Sequence, residues 1–423
     1  MNAQDSAAVD LRPFDADNHY YEALDAFTRH LDPAWADRCV QWAQIDGRSY
    51  HVIGGKISRS VVNPTFDPVA KPGVLRDYFR GNPNGDDPLE LLKARDRIKP
   101  EYRDRDARIE TLDEHGLSAC WMFPTLGMIY ESLLASDPEA VAVTFRAFNR
   151  WVEEDWGFNY KNRIFAAPYI SLADCTFAVS ELEWALNHGA TTVVMRPAAP
   201  LTANGYRSPG DPCFDPFWAR VNEAGICVVV HAGDSGYSTN GYAQDEFTTN
   251  FKTSIPQPIK MLQLERPIED FLSALVCDQL FARFPNLRIA SVENGSGYLR
   301  GLFHRLDALG HKMAGWFQED PVETFKRHIW INPFWEDNVH EVLDLMGPDR
   351  VLFGSDWPHI EGMPKPLDYL DELAGIDEAT RRKVLRTNVA ALNQLQPTAV
   401  DGQPARAVAP APADAATRAG SHV

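Results

Sequence analysis

Short apolar, β-branched runs recur along this chain with helical patterns between them, and that alternation narrows the fold more than any other feature. The runs are Pro13–Asp17, Ala119–Phe123, Ile164–Ile170, Thr191–Arg196, Ile226–His231, Leu287–Glu293, Trp330–Pro333 and Val351–Ser355. Ile226-Cys227-Val228-Val229-Val230 is apolar at every position. A strand covered on both faces must read that way, and burial on both faces is the mark of a parallel sheet. The segments between carry helix signals. Asp137-Pro138 offers an N-cap followed by a proline in the first turn, and Ile268, Phe271, Leu272, Leu275, Val276 and Leu280 form an apolar stripe at helical spacing. Eight strands alternating with helices, and no glycine-rich dinucleotide loop after the first, predict an α/β fold of the (β/α)8 TIM-barrel type.

At 423 residues the chain exceeds an average domain, but barrels reach this size through insertions. Residues from about 31 to 99 break the rhythm: they are rich in Gly, Pro and Asp, with a hairpin pattern around Ser49–Ile53. They read as an insertion after strand one, lying over the barrel mouth as a lid or an oligomer contact. Gly236–Lys260, after strand five, is a second long loop on the same face. Residues 11–396 are expected to form the barrel domain. The first ten residues and the Ala/Pro-rich 397–423 tail hold few large apolar side chains, so both are expected to be disordered.

Charge and cysteines bound the partners. Lys plus Arg total 41 against 59 Asp plus Glu, a net charge of −18. That sign repels phosphate backbones and anionic headgroups, which argues against nucleic acid and membrane surfaces and reads most simply as solubility. The six cysteines include no Cys-x-x-Cys pair and several lie in apolar runs, as reduced buried thiols do. The start of the chain has no signal-peptide pattern, and no apolar run approaches the roughly 20 residues of a membrane span. A cytoplasmic location and a homo-oligomer are expected.

In a (β/α)8 barrel the chemistry sits at the C-terminal ends of the strands. Strand one ends in Asp15-Ala16-Asp17-Asn18-His19, strand five in Val230-His231, strand six in Val292-Glu293-Asn294-Gly295, and strand eight in Gly354-Ser355-Asp356-Trp357-Pro358-His359. Asp17 and His19 are two apart, so both point to one side of a strand. His231 alone would read as a core histidine. Together with Asp17, His19 and Asp356 it forms a set that can converge on one divalent ion. Imidazole and carboxylate without thiolate suit Zn2+ first, with Mn2+ or Co2+ as alternatives. Trp335, after strand seven, is a candidate to line the substrate pocket, as is His359, which could instead orient Asp356. Glu22 is a candidate to support the cage from one turn beyond His19.

These strings resemble the amidohydrolase-related family, in the branch similar to aminocarboxymuconate-semialdehyde decarboxylase. The resemblance runs from Asp15 to about Leu395. It rests on Asp17-Asn18-His19, Val230-His231 and Leu352-Phe353-Gly354-Ser355-Asp356-Trp357-Pro358-His359, with Lys383–Ala390 similar to the family's closing helix. It implies a metal-dependent enzyme acting on a small, carboxylated organic substrate. Hydrolysis is the first reading, with Asp356 taking a proton from water. Non-oxidative decarboxylation of an aromatic or unsaturated acid is the alternative, and a barrel that binds metal and ligand without turnover is a second alternative.

Two departures qualify the resemblance. Strand four ends in Arg196, where relatives with two metals carry a bridging lysine, so one metal is expected. Arg196 reads equally as a clamp for a substrate carboxylate or as one half of an ion pair. Strand six ends in Glu293, where the family carries a histidine. Glu293 is read as a general acid/base, with an extra metal ligand and a salt bridge to Arg288 or Arg300 as the other readings.

Overall fold

The computed structural model describes residues 11–58, 61, 63–235, 258–334 and 337–395. Seven parallel strands form its centre: β1 (Phe14–Tyr20), β2 (Ala119–Pro124), β3 (Ile164–Ala166), β4 (Thr192–Met195), β5 (Cys227–His231), β6 (Arg288–Val292) and β7 (Ile329–Ile331). Strands β1, β2 and β3 pair in that order, and β4, β5, β6 and β7 form a second parallel set. Single parallel bridges join Tyr169 to Val194, Ile331 to Val351, and Asn18 to Trp357. The fold is α/β with parallel strands.

The eighth run, Val351–Ser355, pairs through such bridges and not as a ladder of its own. Its backbone bonds are shared out: Leu352 donates to Ile331 at 2.8 Å, Phe353 donates sideways to Val384 at 3.1 Å, and the Phe353 carbonyl accepts from Ala16 at 2.8 Å. Beside it, Asn388 donates from Nδ2 to the carbonyls of Val351 (2.8 Å) and Pro348 (2.9 Å). That is the physical content of the asparagine in the closing segment, where a π-type turn at Lys383–Thr387 leads into the helix Asn388–Leu392.

The helices follow the sequence signals. Arg105–Glu114 (α1), Gly127–Leu134 (α2), Pro138–Asp155 (α3) and Arg266–Cys277 lie outside the strands. Asp137 caps α3, accepting from the Ala140 N–H at 3.1 Å. The predicted stripe on Arg266–Cys277 is buried at Ile268, Phe271, Leu272, Leu275 and Val276. Val228, Val229 and Val230 are wholly buried, and burial of such a side chain stabilises by roughly 1.5–3 kcal/mol. All six cysteines are free thiols. Among the described residues no helix is long and apolar enough to cross a membrane.

Between β1 and α1 the chain forms an antiparallel sheet of Val40–Ile45, Arg48–Ile53 and Lys56–Ile57, and a two-stranded pair of Val69–Ala70 with Arg95–Asp96. His51 anchors this sheet on α2, its Nδ1 lying 2.6 Å from the Tyr130 hydroxyl. Farther along, Gly73 and Leu75 donate to the carbonyls of His359 (3.0 Å) and Ile360 (2.8 Å). The excursion is thereby fastened to the segment that follows the eighth run. The expected disorder of residues 1–10 and 397–423 and most of the loop expected after strand five lie outside the described residues.

Candidate metal centre

The strand ends gather five ligand-type side chains. Asp17 Oδ1 lies 3.3 Å from Nε2 of His19 and 3.3 Å from Nε2 of His231. Glu293 Oε2 lies 3.2 Å from His231 Nε2 and 3.7 Å from His19 Nε2, and Asp356 Oδ1 lies 3.4 Å from His19 Nε2. Two overlapping groups result, Asp17–His19–His231–Glu293 and His19–Glu293–Asp356–His359, with ligand atoms mutually within 4.8 Å in each. Asp17, His19, His231 and Asp356 side chains are 1% exposed, whereas Glu293 is 14% exposed.

Local backbone aims these groups. Glu293 and Asp356 both adopt left-handed conformations, with φ of 59° and 54°. For residues other than glycine that costs about 1–3 kcal/mol each, and it turns both carboxylates out of the strand direction. Gly354 lets the eighth run close on β1: a Cβ there would lie 2.5 Å from the Asp17 Cβ and 2.8 Å from Asn332 Oδ1. Asp15 ties the same two segments. Its carboxylate accepts from Ser355 N (2.9 Å), Ser355 Oγ (2.6 Å), Asp17 N (3.1 Å) and Asn18 Nδ2 (3.0 Å).

The hydrogen-bond inventory fits a divalent cation. His231 Nδ1 lies 2.9 Å from the Ala232 carbonyl, so it carries the proton and leaves the Nε2 lone pair facing Asp17 and Glu293. Both ring nitrogens of His19 and both carboxylate oxygens of Asp356 are buried without a well-formed hydrogen bond, although His359 Nδ1 approaches Asp356 Oδ1 to 2.7 Å. Buried polar atoms are normally satisfied, and here the orphans face one another. Among the described residues no Lys or Arg pairs with Asp17, Glu293 or Asp356.

Titration follows from that crowding. Burial pushes Asp356 well above the ordinary carboxylate range, and the Glu293 charge adds to it. Burial would lower the His19 imidazole, but the carboxylates of Asp17 and Glu293 override it and raise it to about 9. Burial would likewise raise Asp17, but the imidazoles of His19 and His231, each 3.3 Å away, bring it below its ordinary value. Three carboxylates that, among the described residues, have only histidines as cationic neighbours are chemically suited to an added positive charge.

The remaining candidates are placed as follows. His359 packs its ring 3.8 Å from that of His19, with Nδ1 2.7 Å from Asp356 Oδ1 and Nε2 3.0 Å from Thr125 Oγ1. Glu22 is buried and accepts from the N–H groups of Leu126 (2.7 Å) and Gly127 (3.0 Å) at the start of α2. Arg196 is buried and engaged: Nη1 donates to the Asp234 carbonyl at 2.7 Å and Nη2 lies 3.4 Å from Glu131 Oε1. Its ion-pair reading is the one the geometry displays. The salt-bridge reading of Glu293 is not met, because Arg300 pairs with Glu341 and Arg288 donates to the Ala391 carbonyl. Trp335 lies outside the described residues. Sequence reasoning overlooked Asp15 and Arg108, which bind the ligand-bearing segments and not the centre itself.

The family described as Amidohydrolase matches residues 100–392. The chain belongs to the amidohydrolase family. Asp17 and His19 precede the matched segment, so their place in the centre rests on the distances above. A solved amidohydrolase from Mycobacterium avium subsp. paratuberculosis K-10 is 41% identical, covers 90% of this chain and 99% of its own, and superposes with a TM-score of 0.85. Gamma-resorcylate decarboxylase from Rhodococcus jostii (strain RHA1) is 26% identical over 309 residues, which are 69% of this chain and 88% of that protein. A dihydroxybenzoic acid decarboxylase from Polaromonas sp. JS666, with bound manganese and the inhibitor 2-nitroresorcinol, is alike in fold. It has 17% identity, a TM-score of 0.53 and coverage of 76% of this chain and 93% of its own. This amidohydrolase-family chain is an enzyme, a hydrolase or a carboxy-lyase, and the reading as a barrel without turnover is set aside.

Proposed function

We propose that this enzyme is a metal-dependent carboxy-lyase that removes CO2 from a small aromatic acid without oxidation. Hydrolysis, the first reading of the sequence, becomes second, because the curated relatives are decarboxylases of hydroxybenzoates. Hydrolysis keeps one observation in its favour, the place of Asp356 beside His19 where it could accept a proton from water. The proposed scaffold is a (β/α)8 barrel, supported by the bridges that link β3 to β4, β7 to the eighth run, and the eighth run back to β1.

The observation that carries the proposal is Glu293. It stands 3.2 Å from His231, yet with His359 it is one of the two members of the group that are partly exposed and open to a ligand. We assign the ion to Asp17, His19, His231 and Asp356: the first three fall in one ligand group and Asp356 joins His19 in the other, with the buried unpartnered atoms of His19 and Asp356 facing the same space. Zn2+ matches the donors best, while Mn2+ is the ion carried by the Polaromonas neighbour. A divalent cation held there would offset the clustered carboxylate charge and bind substrate oxygens.

The chain's own residues supply the rest. Decarboxylation breaks the bond between the carboxylate and its ring carbon. The electron pair stays on that carbon, CO2 leaves, and the carbon takes one proton. Glu293 is the proton source, because its carboxyl reaches the open side of the cage and the other carboxylates are committed inward. His359, held by Thr125 and stacked on His19, lines the same space and can bond substrate oxygen. Arg196 is left to its ion pair.

The test is reconstitution with Zn2+, Mn2+ or Co2+, elemental analysis, and assay against hydroxybenzoates, lactones and amides. One equivalent of metal per chain and conversion of an aromatic acid to its decarboxylated product is the expected result. Turnover of lactones or amides alone, or two equivalents of metal, would overturn the proposal.

A further inference from the structure

Arg108, on α1, is completely buried, and among the described residues no carboxylate lies within ion-pair distance of its guanidinium. An unpaired buried cation is costly, so its contacts need an account. Nη1 donates to Asn18 Oδ1 at 2.5 Å, Nη2 to the His19 carbonyl at 2.8 Å, and Nε to the Glu101 carbonyl at 2.8 Å. The flat face of the group lies 4.5 Å from the ring centre of Trp357. Arg108 therefore touches, in one fork, the residue between Asp17 and His19, the backbone of His19 itself, and the residue after Asp356.

These contacts fall where the strand is irregular. Along β1 and β2, Asp15 faces Cys120 while Asn18 faces Met122, so β1 holds one extra residue between them. Such a bulge re-aims the side chains next to it, here Asp17 and His19. His19 needs that support more than most histidines of metal sites, which are steered by a hydrogen bond at the second ring nitrogen. Both of its ring nitrogens lack a hydrogen-bond partner, so its ring is oriented by its backbone and by stacking on His359.

We infer that Arg108 is a positioning residue that fixes the bulge in β1 and sets it against Trp357, so that Asp17, His19 and Asp356 meet at coordination distance. A lysine cannot replace it, since a single ammonium offers neither the planar fork nor the flat face that covers an indole. The inference rests on the metal reading proposed above.

The experiment uses Co2+-loaded full-length protein, wild type against Arg108→Lys and Asn18→Ala. Its readouts are the visible absorption spectrum, Co2+ affinity by chelator competition, and the melting temperature of the metal-free protein. Loss of groups that orient ligands typically weakens binding about 10- to 100-fold, and both variants should show a loss of that size with an altered spectrum. A merely structural arginine would lower the metal-free melting temperature and leave the spectrum of the folded fraction as in wild type. Asn18→Ala keeps the arginine, so it decides the matter if Arg108→Lys fails to fold. Variants with wild-type spectrum and affinity would overturn this inference alone, whereas wild-type protein that takes up no Co2+ would overturn the metal reading and this inference with it.

Discussion

Replacing Gly354 by alanine adds a single methyl group at the tightest point of the site, and its effect can be worked out in advance. The Gly354 backbone is not left-handed, so alanine is barred by neighbours and not by its own conformation. The new Cβ would sit 2.5 Å from the Asp17 Cβ and 2.8–2.9 Å from the Asn332 amide. Carbon atoms rest about 3.5–4.0 Å apart, so roughly 1 Å must be recovered. Asp17 is pinned on both sides, its N–H bonded to Asp15 at 3.1 Å and its carbonyl to the Asp356 N–H at 2.8 Å. Overpacking of this kind costs about 1–3 kcal/mol, which for a domain of this size lowers the melting temperature by roughly 1–4 °C. A ligand displaced by about 1 Å is severe for coordination, and the expected loss of metal affinity is about 100-fold. Calorimetry on the metal-free protein and chelator competition on the loaded one measure the two effects separately. Wild-type melting and wild-type affinity in Gly354→Ala would refute the close approach between the eighth run and β1.

Three further outcomes are expected. Glu293→Gln should keep its metal and lose about 10²- to 10⁴-fold in turnover number, and unchanged turnover would remove Glu293 as the proton source. His231→Ala should lose most bound metal in elemental analysis while circular dichroism shows the same secondary structure, because the residue sits at the end of β5 and outside its packed centre. Arg196→Met should destabilise by about 1–3 kcal/mol in denaturant titration, since Glu131 is left buried with only the hydroxyls of Tyr169 and Ser171 as partners. A rise in KM at unchanged stability would instead restore Arg196 as a substrate clamp.

The parallel strands were legible because burial on both faces writes itself as unbroken apolar runs, as in Cys227–Val230. The ends of those strands carried the centre for the same reason: Asp17, His19, His231, Glu293 and Asp356 are polar residues where an apolar run stops. What the sequence hid was set by contacts distant along the chain. Val40–Ile45 is a half-buried strand of a surface sheet whose order Val-Gln-Trp-Ala-Gln-Ile breaks the alternation of polar and apolar residues that would have marked it as the partner of Arg48–Ile53. The bulge in β1 has no residue signature, and without it Asp15, Asp17 and His19 would share one face. Arg108 reads as an ordinary helix surface residue until α1 is laid against Asn18 and Trp357. Arg196 was open between two roles because its partner Glu131 lies 65 positions away.

The central claim is that this centre breaks a carbon–carboxylate bond and hands the carbon a proton. The most direct measurement is mass spectrometry of the product formed by metal-loaded enzyme from a hydroxybenzoate in D2O. The account predicts a phenol that has lost CO2 and gained one deuterium at the carbon that bore the carboxylate. Recovery of unchanged hydroxybenzoates from the fully loaded enzyme, alongside hydrolysis of lactones or amides by the same preparation, would contradict it.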